Sequence, residues 1–186
     1  MVAGNRRSVN ENAPVPDALA YRARAEADAY RGDQPRPLGG YVVVLGVYTA
    51  LVAVTAVLAA ATGRSLPDRW RVQDLLLVTL GTHKLSRTVT KDAVTSPLRA
   101  PVARYAETGG PAEVNEDARR DGPVRHSLGE LLTCPFCLDM WAATAFVIGL
   151  LFAPRLTRLV AGGFSAVAGA DFLQLAYARA QRLAEQ

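Results

Sequence analysis

Between Pro37 and Gly63 the chain carries no charged side chain for 27 positions, and Arg36 and Arg64 bracket the gap. Within it, Tyr41 to Ala61 is built almost wholly of Val, Leu, Ala and Gly. A hydrocarbon layer about 30 Å thick needs roughly 20 apolar residues at helical rise, so the pattern predicts a transmembrane helix at about 39–62. The run is too long, and too far from Met1, for the apolar core of a signal peptide.

The next apolar stretch is shorter. Leu75 to Thr82 is uninterrupted, but His83, Lys84 and Arg87 follow within two turns. Pro67 and Asp68 favour a fresh helix start, and Trp70 sits where an interfacial aromatic belongs. Lys84 and Arg87 fall near one end, where their stems can reach water. This segment, about 70–90, is expected to be a short second span. Residues 91–130 are polar, carry mixed charge and are broken by Pro97, Pro101, Gly109-Gly110-Pro111 and Gly122-Pro123, which makes them an aqueous loop or small extramembrane subdomain. Ser127 and Glu130 fit a capping box opening a short helix. A third span is expected at about 135–153, stopped by Pro154, and a fourth at about 157–178. In the fourth, Gly162, Ala166 and Ala170 recur at four-residue spacing, a pattern that lets helix backbones approach in lipid. Residues 1–37 are polar and proline-interrupted and are expected as a disordered tail, within which Asp17 to Tyr30 is the one stretch suited to a short amphipathic helix capped by Asp17.

The fold class that follows is all-α: a helical integral membrane protein of about four spans, with a polar loop between the second and third. Composition agrees. Half of the 186 residues are hydrophobic while only 7% are aromatic, a mix suited to tightly packed helices. The basic excess, 19 arginines and two lysines against 17 carboxylates, is scattered beside apolar segments, so it implies a lipid bilayer as partner rather than nucleic acid. With the N-terminus inside, four spans place 16 of the Arg and Lys residues inside and five outside. If the 70–90 helix lay on the surface, the split would become eight to 13. The positive-inside rule therefore selects four spans, a cell-membrane location and a cytoplasmic central loop.

The sharpest local chemical signal is Cys134-Pro135-Phe136-Cys137. Proline is preorganised for the first position of a helix, which makes Cys134 the cap and Cys137 a first-turn residue. Three roles stay open for the pair: a soft-metal site for zinc or another thiophilic ion, with His126 as the nearest histidine and Glu130, Asp139 and His83 as further ligand types; a thiol-redox or assembly disulfide; or a structural cap. Asp139 and Asp171 are ionisable groups in membrane helices, read as boundary residues, and Arg87 with Asp92 is read as an interface ion pair. No nucleophile–base–orienter set, phosphate loop or zinc-protease helix motif appears, so no catalytic residue is assigned.

The segments Thr82 to Asp92 (with Arg87 then Asp92), Ser96-Pro97-Leu98-Arg99, Gly129-Glu130-Leu131-Leu132 and Cys134 to Cys137 with Trp141 together resemble a bacterial family, domain-of-unknown-function family thirteen-sixty. Its members are small integral membrane proteins, some associated with sporulation. The resemblance implies two helices flanking a cytoplasmic-type loop and singles out Arg87, Asp92, Arg99, Glu130, Cys134, Cys137 and Trp141; it implies no established reaction. Lys84 stands where members often carry Arg. The expected function is a non-enzymatic assembly or interaction protein of the bacterial envelope, acting with a second copy or another membrane protein. The alternative is a metal-binding or thiol-redox membrane protein using Cys134 and Cys137.

Overall fold

The computed structural model of the chain describes residues 15–33 and 36–185. Seven α-helices are present among them: α1 (Val15–Arg31), α2 (Leu38–Ala61), α3 (Val72–Lys91), α4 (Ser96–Arg99), α5 (Pro123–Thr133), α6 (Pro135–Phe152) and α7 (Pro154–Ala184). Two short strands, β1 (Ala103–Thr108) and β2 (Val114–Ala118), separate α4 from α5.

The short helix expected over Asp17 to Tyr30 is present as α1, which begins at Val15, ahead of the expected Asp17 cap. Alanines alternating with charged helix formers carry α1 through 17 residues, and Arg31 closes on Asp28 at 3.5 Å. Residues 1–14 of the expected disordered tail lie outside the described residues. The helix α1 belongs to a different unit from the helices that follow.

Among the described residues three helices, α2, α6 and α7, are long and apolar enough to cross a membrane. The expected count of four is not met by length and composition, because α3 carries Asp74, Lys84, Arg87 and Lys91 along its 20 residues. Yet α3 is the helix most extensively packed, against α7 and α6. Its buried positions Asp74, Val78, Gly81, Thr82, Ser86 and Thr90 line one side. Val78 meets Phe146 of α6 and Ala161 of α7 at the centre of the apolar core. Gly81 allows the closest approach: a Cβ there would lie 3.3 Å from the Ala161 carbonyl. Of α2, α3, α6 and α7, the least apolar is thus the one that buries a whole side against two others.

Three of the four charges on α3 have an oppositely charged partner. Asp74 is buried and receives Arg158 of α7 through Nε at 2.7 Å and Nη2 at 2.8 Å. Lys84 pairs with Asp171 of α7 at 2.8 Å. These pairings run in the same direction along both helices, so α3 and α7 lie side by side in parallel. The small-residue stripe that α7 uses is displaced from the expected one: Thr157, Ala161 and Ala168 are buried, whereas Gly162 has open space where a Cβ would stand. By contrast, α2 contacts its neighbours sparsely. Gly40 lies against α5, where a Cβ would come within 2.1 Å of the Pro123 carbonyl, and most of its valines and leucines are exposed.

The all-α expectation also needs correction. Within the polar loop, β1 and β2 pair antiparallel, from Ala103 opposite Ala118 to Thr108 opposite Val114, with an irregularity between Tyr105 and Glu107. The Gly109–Glu113 turn is closed by the Gly109 N–H on the Glu113 carbonyl at 2.9 Å. The mostly polar residues of Arg104–Thr108 and Val114–Ala118 suit a small two-stranded ribbon with little apolar surface to bury. Its packing comes from α5, where Gly129 sits so close that a Cβ would lie 2.5 Å from the Val102 carbonyl and 2.8 Å from Ala118 Cβ. Helix α5 starts at Pro123, capped by Gly122 at φ 98°, rather than at the expected Ser127 box. Ser127 instead donates back to the Pro123 carbonyl at 3.0 Å.

Candidate functional site

The positions singled out in the sequence converge on the module at residues 92–133 and on the helix ends beneath it. Arg99 organises this region. It has no solvent exposure, and a guanidinium carries five N–H donors with no way to shed its charge. Every donor has an acceptor. Nε donates to Glu116 of β2. Nη1 donates to the Val89 carbonyl at 2.7 Å and to Thr95 Oγ1 at 2.6 Å. Nη2 donates to the Asp92 carbonyl at 3.0 Å and to Ser96 Oγ at 3.1 Å. One side chain thus ties the end of α3, the 3-10 turn Ala93–Thr95, α4 and β2 into a single piece.

Arg87 forms a second tie from α3 to the hairpin. It grips Glu113 with Nε at 3.0 Å and Nη2 at 2.6 Å from both carboxylate oxygens. The expected Arg87–Asp92 ion pair is therefore replaced by Arg87–Glu113. Asp92 ends α3, and its backbone rather than its carboxylate does the joining, in a bridge to Glu113 and as an acceptor for Arg99. Lys91 adds a 3.3 Å contact to Asn115 of β2.

Glu130 lies on α5 where that helix meets α2. It accepts from the Tyr41 hydroxyl of α2, and His126 Nε2 stands 3.5 Å from its other oxygen. Trp141, on α6, packs edge-on against Tyr48 of α2 with ring centroids 5.2 Å apart at 72°. The Tyr48 hydroxyl is 2.9 Å from Thr144 Oγ1. Glu130 and Trp141, with the Gly40 contact on α5, are thus places where the sparsely packed α2 is fastened to the rest.

Cys134 caps α6 as its sequence position predicts: its sulfur accepts from the Cys137 N–H at 3.2 Å, with Pro135 first in the helix. Both cysteines are free thiols, and Cys137 is exposed. Among the described residues no group of three or more His, Cys, Asp and Glu is arranged to hold a metal ion, so Cys134, Cys137 and His126 are not gathered into a ligand set. His126 is engaged with Glu130 instead. His83, another candidate ligand, stacks on Phe172 at 5.9 Å.

A cleft of ≈ 570 Å³ opens where the hairpin and α5 meet, with Arg104, Glu116, Arg119, Asp121, His126 and Glu130 on its walls. Both signs of charge are represented, and of the two hydroxyls in its lining Thr133 donates to the Gly129 carbonyl at 2.9 Å while that of Tyr105 lies 3.2 Å from Thr108 Oγ1. Such a surface offers several directional polar contacts to a partner but no nucleophile activated by a base.

Sequence reasoning missed the partners: Glu113, Glu116, Tyr41, Tyr48 and the Asp74–Arg158 pair. The hairpin acids carried no alternation signal, since Asn115, Glu116 and Asp117 are consecutive polar residues. For Asp74 the available signal was its place as the one carboxylate within α3, directly before the apolar run Leu75 to Thr82.

Compared with known proteins, the chain matches the family model described as Protein of unknown function (DUF1360) over residues 77–177. That segment takes in all but the start of α3, the whole module, α6 and most of α7. No curated protein and no solved structure matches the chain.

Proposed function

The chain belongs to the family Protein of unknown function (DUF1360), and on that premise we propose a non-enzymatic assembly protein of the bacterial envelope. Four helices cross the bilayer, α3 among them, and the 92–133 module stands on the cytoplasmic side as a rigid docking platform for a second copy or another membrane protein. The family match extends across the module and the helices that carry it, and supports treating them as one working unit.

The observation that carries this reading is Arg99. A fully buried arginine with all five donors matched is a shape-fixing element, and Arg87, Glu130 and Trp141 likewise spend their polar or aromatic groups on contacts between elements. Residues that hold a surface in shape suit recognition. For α3, parallel packing on α7 and internal ion pairing lower the cost of placing its charges at membrane depth. The distribution of 16 basic residues inside against five outside supports the orientation.

Photo-cross-linking from position 105 tests the proposal, because Tyr105 is 65% exposed on β1 beside the cleft. In native membranes a benzoylphenylalanine there is expected to give a discrete adduct, at twice the chain mass if the partner is a second copy. Arg99→Ala, which dismantles the platform, is expected to abolish it, while Cys134→Ser with Cys137→Ser leaves it intact. Absence of an adduct from the parent protein, or one that survives Arg99→Ala, contradicts the reading.

A further inference from the structure

At the opposite end of the bundle a second cleft, ≈ 480 Å³, opens between the α2–α3 connection and the ends of α6 and α7. Its lining is divided chemically. Arg69, Arg71 and Arg158 supply three guanidiniums at the rim, while Leu150 and Leu151 of α6 supply an apolar wall, and Trp70 stands beside the arginines at 52% exposure. The single carboxylate in the lining, Asp74, is held by Arg158 at 2.7 and 2.8 Å. Arg69 and Arg71 therefore give the rim a positive excess that the protein does not neutralise within the cleft.

We propose that this cleft binds an anionic phospholipid, its phosphate on Arg69 and Arg71 and its acyl chain along Leu150 and Leu151. A planar guanidinium matches phosphate oxygens in pairs, and a tryptophan at the headgroup level is placed for the same interface. A free phosphate shares the headgroup chemistry but has no use for the leucine wall. Arg158 acts as the positioning residue, fixed by Asp74 so that the floor of the rim does not collapse. This inference rests on the reading that α3, α6 and α7 cross the bilayer, which puts the cleft at the outer surface.

The test is native mass spectrometry of the full chain released from nanodiscs of equal phosphatidylglycerol and phosphatidylcholine. The parent protein is expected to retain phosphatidylglycerol preferentially, and Arg69→Gln with Arg71→Gln to reduce that preference by about thirty-fold, the factor expected from two arginines near an anionic surface. The control Arg104→Gln with Arg120→Gln, at the other cleft, is expected to leave it unchanged. Equal retention of the two lipids, an unaltered preference in the Arg69/Arg71 variant, or displacement of the lipid by millimolar inorganic phosphate overturns the proposal. In a Cys134→Ser, Cys137→Ser background, Ser65→Cys should react with an impermeant thiol reagent on intact cells. Labelling without lipid preference sinks this inference alone, whereas no labelling sinks the membrane-crossing reading and this inference with it.

Discussion

Arg99 gives five hydrogen bonds and accepts none, so no smaller or differently shaped cation can replace it. Lysine has three donors on a flexible stem and cannot serve acceptors on four separate elements. Removing the guanidinium also leaves Glu116, 6% exposed, as a buried carboxylate without its partner, a defect that costs about 3–5 kcal/mol. Arg99→Ala and Arg99→Lys are both expected to lower the thermal midpoint in detergent by several degrees, with little rescue by lysine; a lysine variant of parental stability would refute the role. Glycines divide in the same way. Gly129→Ala and Gly40→Ala each force a Cβ to within 2.5 Å or less of a backbone carbonyl, and both are expected to destabilise measurably in the same melt. Gly162→Ala meets nothing within 4 Å and is expected to be neutral or to add up to about 1 kcal/mol through helix propensity.

Among the elements, α3 departs most from its sequence reading and explains most. Its apolar stretch is short because most of its polar groups face partners: Asp74 has Arg158, Lys84 has Asp171, and Ser86 and Thr90 turn their hydroxyls onto carbonyls of their own helix at 3.0 and 2.7 Å, whereas the buried Thr82 hydroxyl has no partner among the described residues. Hydropathy along one helix cannot see a matching charge some 84 residues away. Asp74→Asn and Arg158→Gln are expected to be strongly destabilising singly, while the exchange Asp74→Arg with Arg158→Asp recovers part of the loss; additive effects in that double-variant cycle would argue against the pair. The strongly apolar helices were legible because each declares itself residue by residue, as α2 does from Leu38 to Ala61 and α6 does from Pro135 to Phe152. The Cys134 cap was legible for a related reason, since Pro135 fixes the first turn locally. The hairpin was not, because Gly109-Gly110-Pro111 reads as a break in the chain until Glu113 and Glu116 are seen to be gripped by Arg87 and Arg99. The α7 stripe was misread, with Ala161 and Ala168 buried in place of Gly162, Ala166 and Ala170, since an alanine-rich helix offers small residues on every face and only the neighbour chooses among them.

At the scale of the whole molecule, two chemically different ends sit on one helical bundle. One end carries a clamped polar module with its mixed-charge cleft; the other carries an arginine-rimmed, leucine-walled cleft. The account requires these ends to lie on opposite sides of the bilayer, with α3 crossing beside α6 and α7. The most direct measurement is impermeant thiol labelling of Tyr105→Cys, in a Cys134→Ser, Cys137→Ser background, on intact and then on permeabilised cells. The account predicts that Tyr105→Cys stays unlabelled until the cells are opened and then reacts fully. Full labelling on intact cells would place the module outside and contradict it.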